Sequence, residues 1–156
     1  FYTNFKREKH IPFTMIDKTR FKFSKKDFPI IIMKKLFEPS FDIDILCNKG
    51  KLLRHVVRER LGAQGINGNI VKKNNFIFEK LSKKIARIFN LSGLYDLDVM
   101  LDVADFPNVI ELNPRISGSI SSSVQAGHNL IDDLISLSKG KKILKKSVSK
   151  EILIKR

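Results

Sequence analysis

Between Asp96 and Arg115 the chain alternates acids with apolar residues on both sides of a short break, a pattern few structures can accommodate. The first run is Asp96-Leu97-Asp98-Val99-Met100-Leu101-Asp102, and the second is Val109-Ile110-Glu111-Leu112-Asn113. Period two places alternate side chains on opposite faces of a strand, and the polar break at Ala104-Asp105 predicts a β-hairpin. A turn centred on Ala104 and Asp105 sets Asp98 opposite Glu111 and Asp96 opposite Asn113, all on one face. A slip of one residue would undo this arrangement. Arg115 continues the same face past Pro114, which distorts the strand or ends it. Like charges opposed across a sheet are destabilising, and a bound cation would remove that cost. Carboxylates and an amide suit Mg²⁺, which takes one or two protein carboxylates and completes its shell with waters and phosphates. The guanidinium fork suits phosphate or carboxylate. The competing reading is a solvated acidic face on an ordinary hairpin. The Asn-Pro-Arg-x-Ser-Gly-Ser continuation at Asn113–Ser119 argues against it.

At this point the chain resembles a family. Gly93–Asp102 followed by Asn108–Ser119 is similar to the C-terminal core of ATP-grasp enzymes, of the carbamoyl-phosphate-synthase-like and carboxylate–amine-ligase kind. That family carries an Asp, Glu or Gln on one strand and Glu-x-Asn-Pro-Arg on the next. The resemblance implies that Asp98, Glu111 and Asn113 are the metal ligands beneath the ATP β- and γ-phosphates. It implies that Asn113 and Arg115 also contact the nucleotide, and that Arg115 is catalytic, touching the transferred phosphoryl group or an acyl phosphate.

The resemblance extends upstream. Ile31–Leu46 is similar to the family's hinge stretch, with Asp44 on the family's Asp. Lys34 falls where the family places its adenine-contacting Glu, and Glu38 where it places a Gly. Lys34 is therefore carried as a cofactor-binding position. Lys51–Leu53 and Val56–Arg60 look like the next strand with its Arg-x-Arg, followed by a loop containing Gly62, Gly65 and Gly68. By the resemblance Arg58 and Arg60 face phosphate or substrate; by alternation alone they could equally belong to a solvated strand. The opening residues look like the entry to the family's first lobe, but no Gly-rich flap precedes residue 60, the first glycine being Gly50. The expected plan is residues 1–30 as an entry segment or remnant of the first lobe, 31–142 as the C-terminal lobe, and 143–156 as a basic tail. Most of the first lobe has no counterpart, so a fragment, a degenerate member or half of a split enzyme is expected.

Composition excludes several other classes. Hydrophobic residues make up 42% of 156 positions, enough for a real core. No apolar run reaches the roughly 18 residues that cross a bilayer, and no signal peptide opens the chain. Cys47 is the lone cysteine, so no internal disulfide can form and a reducing cytoplasm is the expected compartment. His10, His55 and His128 lack metal-ligand spacing and read as surface or packing residues. The net charge of +14 could mark a polyanion partner. Most of the 30 basic residues are lysines, and neither a nucleic-acid motif nor an aromatic platform accompanies them. A solvated surface is the better reading, with a positive field that favours ATP and an anionic acceptor.

Two amphipathic stretches remain. Phe78–Asn90 carries Leu81, Ile85, Ile88 and Phe89 at helical spacing. Ser121–Lys139 repeats the pattern, with serines placed to cap its start, Gly140 to end it, and Gly127 inside it as a close packing contact. Asp132 and Asp133 read as solvated. The final residues read as a strand or a short amphipathic element. The fold class is α+β: an ATP-grasp-like antiparallel sheet with packed helices, lacking most of the first lobe. The implied activity is an ATP- and Mg²⁺-dependent (or Mn²⁺-dependent) ligase that activates a small carboxylate as an acyl phosphate for attack by an amine or similar nucleophile. A second chain or the missing lobe is the implied partner; no membrane and no nucleic acid is expected. The alternatives are a non-catalytic basic binding module, or one half of a split ATP-grasp enzyme.

Overall fold

A computed structural model describes residues 34–62 and 67–155. The chain divides into two compact units, Phe1–Lys35 and Leu36–Arg156. The entry segment expected over residues 1–30, with its His10, lies outside the described residues, and the architecture below is that of the second unit.

Six strands form one sheet. They are β1 (Phe37–Asn48), β2 (Lys51–Arg60), β3 (Gly68–Val71), β4 (Gly93–Leu101), β5 (Pro107–Asn113) and β6 (Ile152–Lys155), in the order β5-β4-β1-β2-β3-β6. Every neighbouring pair is antiparallel. β1 and β2 join through a tight turn at Lys49-Gly50, where both residues have positive φ (46° and 75°). Glycine suits the second position because a Cβ is disfavoured there. Part of the final segment is a strand: β6 lies against β3, so closely at Gly68 that a Cβ on that residue would sit 2.1 Å from the carbonyl oxygen of Ile154.

One face of the sheet is apolar along its length. Phe41, Ile43 and Ile45 of β1, Val57 of β2 and Leu97 and Val99 of β4 pack beneath the helix α1 (Phe76–Ile88). The residues of α1 that meet the sheet are Phe78, Ser82 and Ala86, four apart and so on one stripe. Small side chains at two of these three positions let the helix approach closely. Leu81 and Ile85 flank the stripe as expected, whereas Ile88 and Phe89 are 57% and 59% exposed. They stand at the end of the helix: Ile88 is its last residue, Phe89 is its C-cap, and Asn90 turns the chain away with φ 47°.

The stretch expected to form a second helix over Ser121–Lys139 is two helices. α2 covers Ile120–Gln125 and α3 covers Leu130–Ser138. Gly127 is the breaker, with φ 82°, a left-handed conformation that other residues adopt at a cost. It ends one helix; it is not a packing contact inside a longer one. Asn129, whose side chain accepts from the backbone amides of Ile131 and Asp132, caps α3. Gly140 follows α3 with φ 70°, as its sequence position suggested. No serine side chain caps α2.

Candidate functional site

The opposite face of the sheet holds the chemistry. Asp42 pairs with Asp98 and Asp44 with Asp96 across β1 and β4; Asp42 also pairs with Arg58 across β1 and β2. Across β4 and β5, Asp98 pairs with Glu111 and Asp96 with Asn113. The expected register therefore holds at the site, by a route the sequence did not reveal. Beside the turn Leu101 faces Pro107 and Val99 faces Val109, one residue out of that register, and a bulge at Ile110 restores it. The extra residue of a bulge is unpaired and bends its strand.

Alternation on β1 carries a further signal, outside the hairpin. Asp42-Ile43-Asp44-Ile45 repeats the acid–apolar pattern of Asp96-Leu97-Asp98 on a central strand, which delivers four carboxylates to one face. Oxygens of Asp42, Asp96 and Asp98 all lie within 4.8 Å of one another. They line an open cleft of about 540 Å³ together with Arg60, Arg115, Ser117, Gly118 and Ser119.

The arginines are not solvated. Arg58 is wholly buried; its Nη2 donates to Asp44 Oδ1 at 2.8 Å and its Nη1 to Ser119 Oγ. Arg60 uses one nitrogen, Nη2, to bond both Asp42 and Asp98, the latter at 2.9 Å. Three serines around α2 fasten that helix to the sheet. Ser119 Oγ donates to Asp42 at 3.1 Å, Ser123 Oγ donates to Asp44 at 2.7 Å, and Ser122 Oγ accepts from Asn69 at 3.0 Å.

Electrostatics in this cluster favours added positive charge. Burial, then the charges of Asp42, Asp98 and Asp44, push the Asp96 carboxyl up to about 7. Asp98 is raised by burial and by Asp42, against the pull of Arg60. Asp44 is raised by burial, with Arg58 and Ser123 opposing. Burial works against the charge of Arg60, but its bonds to Asp42 and Asp98 outweigh that and raise its pKa. Three buried polar atoms at the site have no partner: the acceptor Asp96 Oδ1 and the donors Asn113 Nδ2 and Arg58 Nε. An orphaned buried group costs the full loss of its hydration. The carboxylate oxygens of Asp42, Asp96 and Asp98, with the unpartnered Asp96 Oδ1 among them, fit a divalent cation such as Mg²⁺.

Of the residues singled out from sequence, Asp98, Arg60 and Arg115 line the cleft, while Glu111 and Asn113 pair with Asp98 and Asp96 from β5 and Arg58 is buried. Glu111 is exposed and Asn113 is buried. Arg115 is exposed, with Nη1 3.5 Å from Asp96. Lys34 is exposed at the end of the first unit, just ahead of β1. His55 and His128 are buried packing residues. Asp133, expected to be solvated, is ion-paired to the buried Arg54.

A family model described as ATP-grasp in the biosynthetic pathway with Ter operon matches residues 26–155. The chain belongs to the ATP-grasp family. A sequence search of curated proteins found no match. Among solved structures, this ATP-grasp chain is similar to the biotin carboxylase–β,γ-ATP complex from Campylobacter jejuni, with a TM-score of 0.54 at 16% identity, over 72% of this chain and 28% of that one. It is also similar to N5-carboxyaminoimidazole synthetase from Staphylococcus aureus, with a TM-score of 0.55 at 15% identity, over 76% of this chain and 33% of that one. At such identities the likeness is one of fold. The antiparallel sheet with its helices is thus a partial ATP-grasp domain, spanning a third or less of the length of these relatives.

Proposed function

We propose that the cleft holds a divalent cation and the phosphates of ATP, and that the protein is an ATP-dependent ligase activating a small carboxylate as an acyl phosphate for an amine or similar nucleophile. The observation that carries this reading is the pairing of Asp98 with Glu111 and of Asp96 with Asn113 on one face, beside Arg60 and Arg115. Asp98, Glu111 and Asn113 are the residues that would hold Mg²⁺ or Mn²⁺. The bound cation would neutralise phosphate charge and align the transferred group. Arg115, exposed at the cleft, is placed to meet charge that develops on that group in the transition state. Phosphoryl transfer demands positioning and charge neutralisation, so no side chain here is needed as a covalent nucleophile. The described unit supplies one wall of the nucleotide site. Lys34 would be a further nucleotide contact, and the remaining adenine and substrate contacts would come from a second wall supplied elsewhere in the protein or by a second chain.

Calorimetric titration of Mg·ADP and Mg·AMPPNP, with metal-free controls, tests this. Binding should require the cation, and Glu111→Gln should abolish it while changing stability by less than about 0.5 kcal/mol, as at other exposed positions. Unchanged binding by the variant would remove the metal assignment. No helix among the described residues is long and apolar enough to cross a membrane, and the exposed lysines are read as a solvated surface rather than a docking site.

A further inference from the structure

Arg58 and Arg60 of β2 are held in opposite ways. Arg58 is wholly buried between Asp44 and Ser119. Arg60 lies at the end of β2 with its side chain 25% exposed, and its guanidinium forms part of the cleft wall. A single nitrogen of Arg60 bridges Asp42 and Asp98. Its positive charge thus lies among the carboxylates of Asp42, Asp96 and Asp98, whose oxygens are close enough to one another to share one cation. Asp98 is also the carboxylate to which the reading above assigns the metal.

We propose that Arg60 is a counter-charge that a divalent cation displaces from Asp98, and that the released fork then engages the nucleotide's phosphates, so that metal and nucleotide bind as a coupled pair. This rests on the proposed nucleotide site. A dication and a guanidinium on the same carboxylate repel each other, and Arg60 is the partner free to move, since it opens onto the cleft. Asp42 is the positioning residue. Its second oxygen is fixed by Ser119, so its bond to Arg60 keeps the guanidinium within the cleft as the contact to Asp98 is lost. A planar fork released beside Arg115 matches a phosphate oxygen pair better than a lysine would. Coupling of this kind is reciprocal: whatever the metal does to nucleotide affinity, nucleotide does to metal affinity.

Mn²⁺ binding to the full chain, followed by electron paramagnetic resonance with and without ADP, tests the proposal. Without nucleotide, Arg60→Gln should bind Mn²⁺ about tenfold more tightly than the wild type, within the range of ordinary coupling. Arg60→Lys, which keeps the charge, should stay near the wild type. The strengthening of Mn²⁺ binding by saturating ADP should fall to about a tenth of its wild-type value in Arg60→Gln. A damaged fold cannot produce tighter metal binding, so the gain separates this role from a structural one. If Arg60→Gln binds Mn²⁺ no more tightly while its Mg·ADP affinity drops, Arg60 is a plain phosphate ligand; the coupling is then overturned and the nucleotide site stands. If the wild type and both variants are folded by circular dichroism and bind neither Mn²⁺ nor ADP, the nucleotide site falls and the coupling with it.

Discussion

Three central strands change character along a single face of the sheet. Asp42 and Asp44 on β1 give way to Leu46; Arg60 and Arg58 on β2 give way to Val56; Asp98 and Asp96 on β4 give way to Leu94. The backbone is continuous and only the side chains differ. The apolar end is covered by α3 through Leu130, and by Val148. The polar end is covered by the short α2, attached by serine hydroxyls. Apolar burial tolerates small shifts, whereas the polar end depends on every buried group meeting its partner. Stability at one end comes from area, and at the other from matched charges kept in place for a ligand.

The sharpest way to break the comparison is Arg58→Met. It leaves Asp44 buried and uncompensated, and should cost about 3–5 kcal/mol by urea denaturation. Adding Asp44→Asn should recover much of that loss, a non-additivity expected of partners in one network. Additive losses would show that the pair is not the unit described here. At the apolar end Leu130→Ala should cost about 3 kcal/mol and leave Mg·ADP affinity within about twofold, because Leu130 packs among Leu46, Val56 and Leu94 and does not line the cleft; a larger binding loss would mean that the two ends are mechanically linked.

A smaller effect concerns a polar fastening at the apolar end. Arg54 Nη2 lies 3.0 Å from His128 Nδ1, and its Nη1 bonds Asp133 of α3. His128 must accept there and so be neutral. Burial, then Arg54 and Lys146, lower its pKa, with Asp133 opposing. The unfolded chain therefore takes up a proton before the folded one does. Stability is full above about pH 6.5 and falls as pH drops below it. His128→Gln should flatten that part of the profile, and an unchanged slope would assign it to another group. The smallest effect is at Cys47, where burial pushes the thiol up to about 12. It should resist alkylation in the folded chain and react only on unfolding; rapid labelling at neutral pH would place it in a more open setting.

Much of this was legible in the residues, for identifiable reasons. Period-two alternation fixes which side chains share a face, so the hairpin and the company of Asp98, Glu111 and Asn113 could be read directly. The bulge at Ile110 could not, because nothing in Val109-Ile110-Glu111 distinguishes a bulged from a regular strand. The resemblance makes β1 a hinge and so hides Asp42 as a cleft residue, although its alternation is as clear as that of β4. Hydrophobicity alone mis-phases α1, because closeness of approach decides: Ser82 and Ala86 pack inward and Ile88 does not. Serines at the start of α2 fit helix caps by sequence, yet Ser119 and Ser123 donate to Asp42 and Asp44 of the sheet, a choice that only the three-dimensional position of those acids decides.

The proposed metal ligands straddle a mechanical divide. Asp98 stands on β4, a strand paired on both sides, whereas Glu111 and Asn113 stand on β5, which lies at the edge of the sheet. Edge strands open locally at a fraction of the cost of unfolding the whole domain, so half of the seat can come away while the other half stays in place. A cation gripping both strands would pin the edge. Amide hydrogens of β5 should then exchange more slowly by the factor that ligand binding adds to the closed state, while those of β1 and β4, released only on global unfolding, report the fold itself.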